Sequence, residues 1–302
     1  MFKSKNSMSR ALVRRETTAG YLFLLPSLFF FVTFVLYPMF LCIYTSFFDS
    51  NMGKNAVDVF VGLGNYRELF QDKLFLGALK NTVVIVVVAV PTVCAFSLWV
   101  ATAIYDMKPA LTSAFRCIFY LPVVTGSVAV TVVWKWMYNS RYGVFNYLFK
   151  SLGIIDQNIN WLGDARFALW CIILILFTTS VGQPIVLYVS ALGNVDHSLV
   201  EAAQVDGANR RQVFWKIKWA QIMPTTLYIL IITTINSFQC FALIQLLTSG
   251  GPTHSTDTIM YYIYYTAFKL YRYGYGNAMG VVLMIIIAVL SAVQFKLGQQ
   301  SD

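Results

Sequence analysis

The sequence predicts an all-α membrane protein with six transmembrane helices, and three observations carry that prediction. The chain of 302 residues is 58% hydrophobic and 12% charged, with a mean hydropathy of +0.65, far too apolar for a soluble domain. Six apolar runs, at 21–48, 82–105, 117–134, 167–191, 221–247 and 275–295, are long enough to cross a bilayer, which takes about 20 residues. Lysine and arginine are spread unevenly between alternate loops, which sets the orientation.

The head, 1–20, holds Lys3, Lys5, Arg10, Arg14 and Arg15 against one acid, Glu16. The run at 21–48 is too long for a signal peptide and no small-residue cleavage site follows it, so it is read as the first transmembrane helix. The loop 49–81 is balanced, with Lys54, Arg67, Lys73 and Lys80 facing Asp49, Asp58, Glu68 and Asp72, and is expected outside. The core, 82–297, holds the other five helices. Its turn at 105–116 brings Lys108 and Arg116, and a polar stretch after the fourth run adds Arg210, Arg211, Lys216 and Lys218. The head, that turn, the polar stretch and the tail 298–302 are therefore expected in the cytoplasm. The net charge of +9 then reflects topology and contact with anionic lipid, not nucleic-acid binding.

Several chemistries are excluded. Cys42, Cys94, Cys117, Cys171 and Cys240 lie in or at the edge of spans without metal-ligand spacing and read as packing residues. His197 and His254 stand singly in loops, so no metal site is expected. Gly53-Lys54-Asn55 lacks the glycine-rich run and the hydroxyl residue of a nucleotide site. No catalytic nucleophile–base pair or carboxylate pair appears, so the chain is not expected to be an enzyme. No charged residue falls well inside the six runs, where each would cost about 2.5–3.5 kcal/mol. That argues against a proton-coupled carrier or voltage sensor, and less strongly against sodium coupling.

Uncharged polar groups gather in two runs. Thr178, Thr179, Ser180 and Gln183 sit beside Gly182 and Pro184 in the fourth, and Thr233, Thr234, Asn236, Ser237 and Gln239 in the fifth. Thr233, Asn236 and Ser237 fall at i, i+3 and i+4, on one helix face. With the rings of Phe238 and Phe241 nearby, the mixture suits a neutral polyhydroxylated solute better than an ion. The candidate substrate pathway is Thr178, Gly182, Gln183, Thr233, Asn236, Ser237 and Gln239. The competing reading is interhelical hydrogen bonding, worth about 0.6 kcal/mol per contact.

The polar stretch EAAQVDGANRRQVFWKIKWAQIMP, 201–224, is dense in helix signals. Asp196 or Ser198 can cap a helix, the latter through a Ser198-x-x-Glu201 capping box. Gly207 can stop it in the left-handed conformation, and Asn209 with Gln212 can start a second helix that runs into the fifth span. Arg210, Arg211 and Trp215 would suit an amphipathic helix on lipid, whereas Ala202 and Ala203 permit close approach by another protein. Further on, Tyr261, Tyr262, Tyr264 and Tyr265 are expected at the outer interface, as an aromatic belt or a protein contact. Gly276 and Gly280 suggest a close helix contact.

Glu201-Ala202-Ala203, Asp206-Gly207-Ala208, Phe214, Ile217 and Pro224 match the EAA loop of binding-protein-dependent ABC importer permeases. The chain resembles the carbohydrate-uptake branch, specifically its MalF-like subunit. LLPSLFFFVTFVLYP at 24–38, FVGLGNYRELF at 60–70, FRCIFYLPVV at 115–124, NWL at 160–162 and LIQLLTSGGP at 243–252 extend the match nearly end to end. Ala220 departs from a common proline, Arg211 from a common aromatic residue, and the short 49–81 loop leaves maltose itself unsupported.

The resemblance implies a type I ABC importer permease fold with a cytoplasmic EAA coupling-helix loop at 196–220. It implies an ATP-driven importer of sugars or oligosaccharides in a bacterial or archaeal cell membrane, multi-pass, with both termini cytoplasmic. The implied partners are a MalG-like second permease, an ABC ATPase dimer, an extracytoplasmic solute-binding protein, membrane lipid and a small-molecule sugar, with no nucleic acid. No cofactor belongs to this chain, because the ATPase binds ATP and Mg. The implied coupling residues are Glu201, Ala202, Ala203, Asp206, Gly207, Ala208 and Phe214, with Glu201 meeting a basic residue of the ATPase. The alternatives are a glycerol-phosphate or polyol importer, disfavoured because no basic group is expected near the pathway, and an ATP-independent secondary carrier or channel.

Overall fold

The computed structural model describes residues 3–50 and 58–299, with side chains from residue 16 to residue 298. Gly53-Lys54-Asn55 and residues 300–302 of the tail lie outside the described residues, as do the side chains of Lys3, Lys5, Arg10, Arg14 and Arg15. Helices dominate because lipid offers no partner to a backbone amide, and only a helix satisfies its own.

The first span is α1 (Lys3–Phe31), a π turn at Val32–Leu36 and α2 (Tyr37–Thr45). The boundary expected at residue 20 is not a break, since the helix runs back through the head to Lys3. Among the described residues, its apolar stretch is exposed over most of its length and packs on α15 (Tyr273–Gln299) near its end. There Asn277 donates to Thr45 Oγ1 at 2.7 Å and Cys42 Sγ lies 3.5 Å from Asn277 Oδ1. A two-residue hairpin follows, β1 (Phe48–Asp49) antiparallel to β2 (Val59–Phe60), with Phe48 opposite Phe60. Next come α3 (Gly64–Gln71) and α4 (Lys73–Ile104).

Helix α4 begins at residue 73 and not at 82, because Asp72 caps it by accepting the Leu74 N–H at 2.8 Å. The third span is also not one straight helix over 117–134. α5 (Pro109–Val124) and α6 (Ser127–Met137) meet at 94°. Thr125 and Gly126 both adopt extended backbone there, which no helix continues through. After α7 (Val144–Ser151), the fourth span is α8 (Ala168–Ser180) and α9 (Gly182–Gly193). The polar stretch forms α10 (His197–Val205) and α11 (Arg210–Val213), then a π turn at Phe214–Lys218 that leads into α12 (Trp219–Phe238). α13 (Ala242–Leu247), α14 (Ile259–Tyr264), a π turn at Tyr265–Lys269 and α15 (Tyr273–Gln299) complete the chain. Among the described residues, five helical segments are long and apolar enough to cross a membrane, six with the bent α5–α6 pair.

The core gathers around α4, which packs on α8, α9, α12 and α14. Val93, Val100 and Ala101 of α4 interlock with Ile185 and Tyr188 of α9 and with Ile222 and Ile229 of α12. The Tyr-rich segment joins this interior: Tyr261 and Tyr262 are buried and Tyr264 and Tyr265 half-buried, so they do not form an aromatic belt. The loop before them is pinned to α4, where Asn81 Nδ2 donates to the carbonyls of Ser255 and Asp257 and Thr82 Oγ1 accepts the Ile259 N–H. Gly276 lets α15 approach Ala267, and Gly280 faces Cys42, so both glycines serve contacts within the chain.

Asp72 ties α4 to α14 and α15 by accepting the hydroxyls of Tyr262 and Tyr275, each at 2.8 Å. Burial pushes its pKa up, but these hydroxyls and the N–H groups of Leu74 and Phe75 outweigh it and hold the carboxyl below its usual value. Asp72→Ala is expected to lower stability in detergent by about 1.5–3 kcal/mol, read by thermal unfolding. Because the folded-state value is depressed, the contribution is full above pH of about 4 and is lost as pH falls through the lowered value. The gap between wild type and variant should close in that acid window.

Candidate functional site

The loop between the fourth and fifth spans is built by local signals. Asp196, not Ser198, caps α10: its carboxylate accepts the Ser198 N–H at 2.9 Å and the Ser198 hydroxyl at 2.7 Å. The same two bonds hold the Asp196 carboxyl below its usual range. Ser198 is thereby turned toward Asp196, and the Ser198–Glu201 capping box does not form. At the other end Gly207 takes φ +83°, the Ala208 N–H reaches the Ala203 carbonyl at 2.9 Å, and the Gly207 N–H reaches that of Gln204 at 3.1 Å. This pair of bonds is the Schellman termination, which glycine accommodates without steric cost. Asn209 and Gln212 then cap each other reciprocally, at 2.9 and 2.8 Å, and launch α11. The Gln221 side chain closes the unit by accepting the Asp196 N–H at 3.0 Å.

The helix pair presents a small-residue surface. Glu201, Ala202, Asp206 and Gly207 are exposed, while Ala203, Ala208 and Phe214 are half-buried. Glu201 has no ion pair among the described residues. Val205, for which the sequence suggested no role, is 88% exposed at the elbow, and Leu199, earlier in α10, is 51% exposed. An apolar tip flanked by alanines and by the exposed acids Glu201 and Asp206 is chemically suited to seating in a partner's cleft.

The polar groups of the spans meet in a groove of about 150 Å³ between α5, α8, α9 and α12. Thr179, Ser180 and Gln183 line one side, Thr233 and Asn236 the other, with Val123, Leu187 and Ile232 between them. Pro184 lacks an N–H, so the Ser180 carbonyl one turn before it loses its helix partner and the span breaks there, among the polar residues. Gly182 does not line the groove but packs against α5, where a Cβ would stand 2.3 Å from the Phe119 carbonyl oxygen.

The remaining pathway candidates lie elsewhere. Thr178 donates to the Ile175 carbonyl at 2.8 Å, Ser237 is 2% exposed, and Gln239 stands beyond the end of α12. Phe238 is buried in the core beside Phe75, and Phe241 packs on Tyr261 and Tyr264, so neither ring faces the groove.

A second cavity, of about 470 Å³, shares Gln183 and Leu187 with the groove and adds Arg116, Cys117, Tyr120 and Val186. Cys117 is exposed here and is not a packing residue. Arg116 lies within α5 and its Nε is buried without a hydrogen-bond partner. Contrary to the expectation from sequence, a basic group does approach the pathway. The missed signal was Pro109, a first-turn proline that starts α5 two turns before Arg116.

Comparison with known proteins matches residues 75–299 to the model of the binding-protein-dependent transport system inner membrane component family. The lactose transport system permease protein LacF of Rhizobium radiobacter is 32% identical over 288 residues, 94% of this chain and 95% of that protein. The sn-glycerol-3-phosphate transport system permease protein UgpA of Agrobacterium fabrum is 28% identical over 280 residues, 91% of this chain and 93% of that protein. In fold, the chain superposes on a bacterial alginate ABC transporter crystallised with a pentasaccharide-bound periplasmic protein, with a TM-score of 0.80 and 24% identity over 93% of each chain. The chain belongs to the family of binding-protein-dependent inner membrane components. It is a permease subunit and not itself an enzyme.

Three substitutions check this geometry. Gly207→Ala places a Cβ in left-handed backbone and should cost roughly 1–2 kcal/mol, read as faster amide exchange across 197–212. Gly182→Val should push α5 from α9 and lower the yield of monodisperse protein in detergent, whereas Thr178→Val should leave that yield unchanged.

Proposed function

We propose that this family member is a transmembrane subunit of an ATP-driven importer for sugars or oligosaccharides, and that the loop at 196–220 is its coupling element. The observation that carries the coupling role is the capped α10–α11 pair, whose exposed Glu201, Ala202 and Val205 form a compact face at the turn between two spans. In this reading the face seats in an ABC ATPase, with Ala203, Gly207 and Ala208 permitting close approach and Asp206 and Phe214 fixing its shape. The ATPase binds ATP and Mg, and its closure moves the helix pair and turns the spans outward. A second permease completes the pathway, and an external solute-binding protein delivers the solute. Both termini and the coupling loop then lie in the cytoplasm, where Arg210, Arg211, Lys216 and Lys218 favour them.

Thr179, Ser180, Gln183, Thr233 and Asn236 supply donors and acceptors without charge, which suits sugar hydroxyls. The lactose permease relative supports a carbohydrate. Arg116, reaching the adjoining cavity, favours a second reading: a solute carrying a negative group, as the glycerol-3-phosphate relative's name implies for that protein.

Replacing Glu201 with Arg together with Gly207 with Val should abolish solute uptake while membrane insertion persists. Affinity purification of the wild type in mild detergent should bring down an ATP-binding polypeptide and a second permease. Recovery of neither, or uptake that survives the double change, would sink the coupling role.

A further inference from the structure

Force applied to the coupling helices must cross a weak point before it reaches the fifth span. Phe214–Lys218 is a π turn in which the Trp219 N–H reaches back five residues to the Phe214 carbonyl. Such turns carry one residue more than an α turn and poorer hydrogen-bond geometry, and they recur at functional sites. Alone, this turn would lengthen or rewind under load, and α12 would not feel the whole displacement.

The structure anchors it from outside. Lys218, the last residue of the π turn, places its ammonium 4.3 Å from the centroid of the Tyr105 ring and also donates to the Tyr105 hydroxyl. Tyr105 is the C-cap of α4, its N–H bonded to the Ala101 carbonyl at 3.0 Å. Tyr105 and Trp219 both pack on the core cluster that joins α4, α9 and α12. Lys216, on the same turn, is exposed, so position 218 is the cation of this turn that grips another span. Both Lys218 and Tyr105 are half-buried, so water screens their contact less than it would at an open surface.

We propose that Lys218 is a positioning residue. By clamping the π turn to Tyr105 it makes α4 and α12 move as one body when the coupling helices are displaced. This rests on the importer reading above, and it adds the residue that keeps the motion from being absorbed between loop and span.

Cys117, exposed in the cavity beside Gln183, is a native reporter of the spans. The test uses the complex purified with its ATPase and second permease in lipid nanodiscs. Its labelling by a maleimide is read on the Cys117 peptide by mass spectrometry, with and without Mg-ATP and vanadate. In wild type, nucleotide trapping should change the labelling rate. Lys218→Met should retain ATP hydrolysis yet lose that change, Tyr105→Leu should do the same, and Lys218→Arg should restore it. A Lys218→Met complex with the full wild-type response overturns the proposal. So does joint loss of hydrolysis and response in Lys218→Met and Lys218→Arg alike, because that marks a merely structural residue. A wild-type complex that shows no nucleotide response overturns the importer reading itself, and the inference with it.

Discussion

Backbone amides and carbonyls in lipid must find partners inside the protein, and the whole architecture depends on that requirement. It explains why the chain is helical. It also gives meaning to the places where helices break, because each break needs another part of the chain to cover it. Behind the break after α12, the Cys240 carbonyl accepts the Thr258 hydroxyl at 2.7 Å from a loop that folds back into the interior. Around the break before α9, the Val181 carbonyl accepts the Ser97 hydroxyl of α4 at 3.3 Å. Helix α4 is therefore a packing centre and also the element that makes interruptions in its neighbours tolerable.

The interruptions coincide with the features that bear on transport. The proline-induced break of the fourth span sets Thr179, Ser180 and Gln183 opposite Thr233 and Asn236. Val123, near the end of α5, lines the same groove, and Arg116, two turns earlier, lines the adjoining cavity. The π turn at Phe214–Lys218 separates α10 and α11, the proposed coupling helices, from α12. A chain of straight, uninterrupted helices would pack more simply, but its polar groups would point at single neighbours and would not converge.

What the sequence made legible was local. Asp196, Gly207, Asn209 and Gln212 act on backbone within a few residues, so the ends of α10 and the start of α11 could be read without knowing the fold. The six apolar runs were legible for the same reason. Helix limits were misjudged where hydropathy alone served as the ruler: Asp72 and Pro109 are start signals, but Lys73, Lys80 and Arg116 looked like loop residues. That misreading hid Arg116 from the pathway. Burial of Tyr261 and Tyr262, and the displacement of Phe238 and Phe241 from the groove, depend on a loop folding back against α4. No periodicity in the Tyr-rich segment reports such a contact. Of the polar set, Gln183, Thr233 and Asn236 converge, whereas Thr178 spends its hydroxyl on its own helix.

The proposed coupling role requires that the exposed face around Glu201 and Ala202 meet an ATPase and not the lipid surface. A photo-cross-linking amino acid at position 202, activated in intact membranes, tests it most directly. The account predicts one dominant adduct, a polypeptide that binds ATP and whose cross-linked peptide maps to its nucleotide-binding domain. Adducts to phospholipid alone would contradict it and would make α10 an interfacial helix.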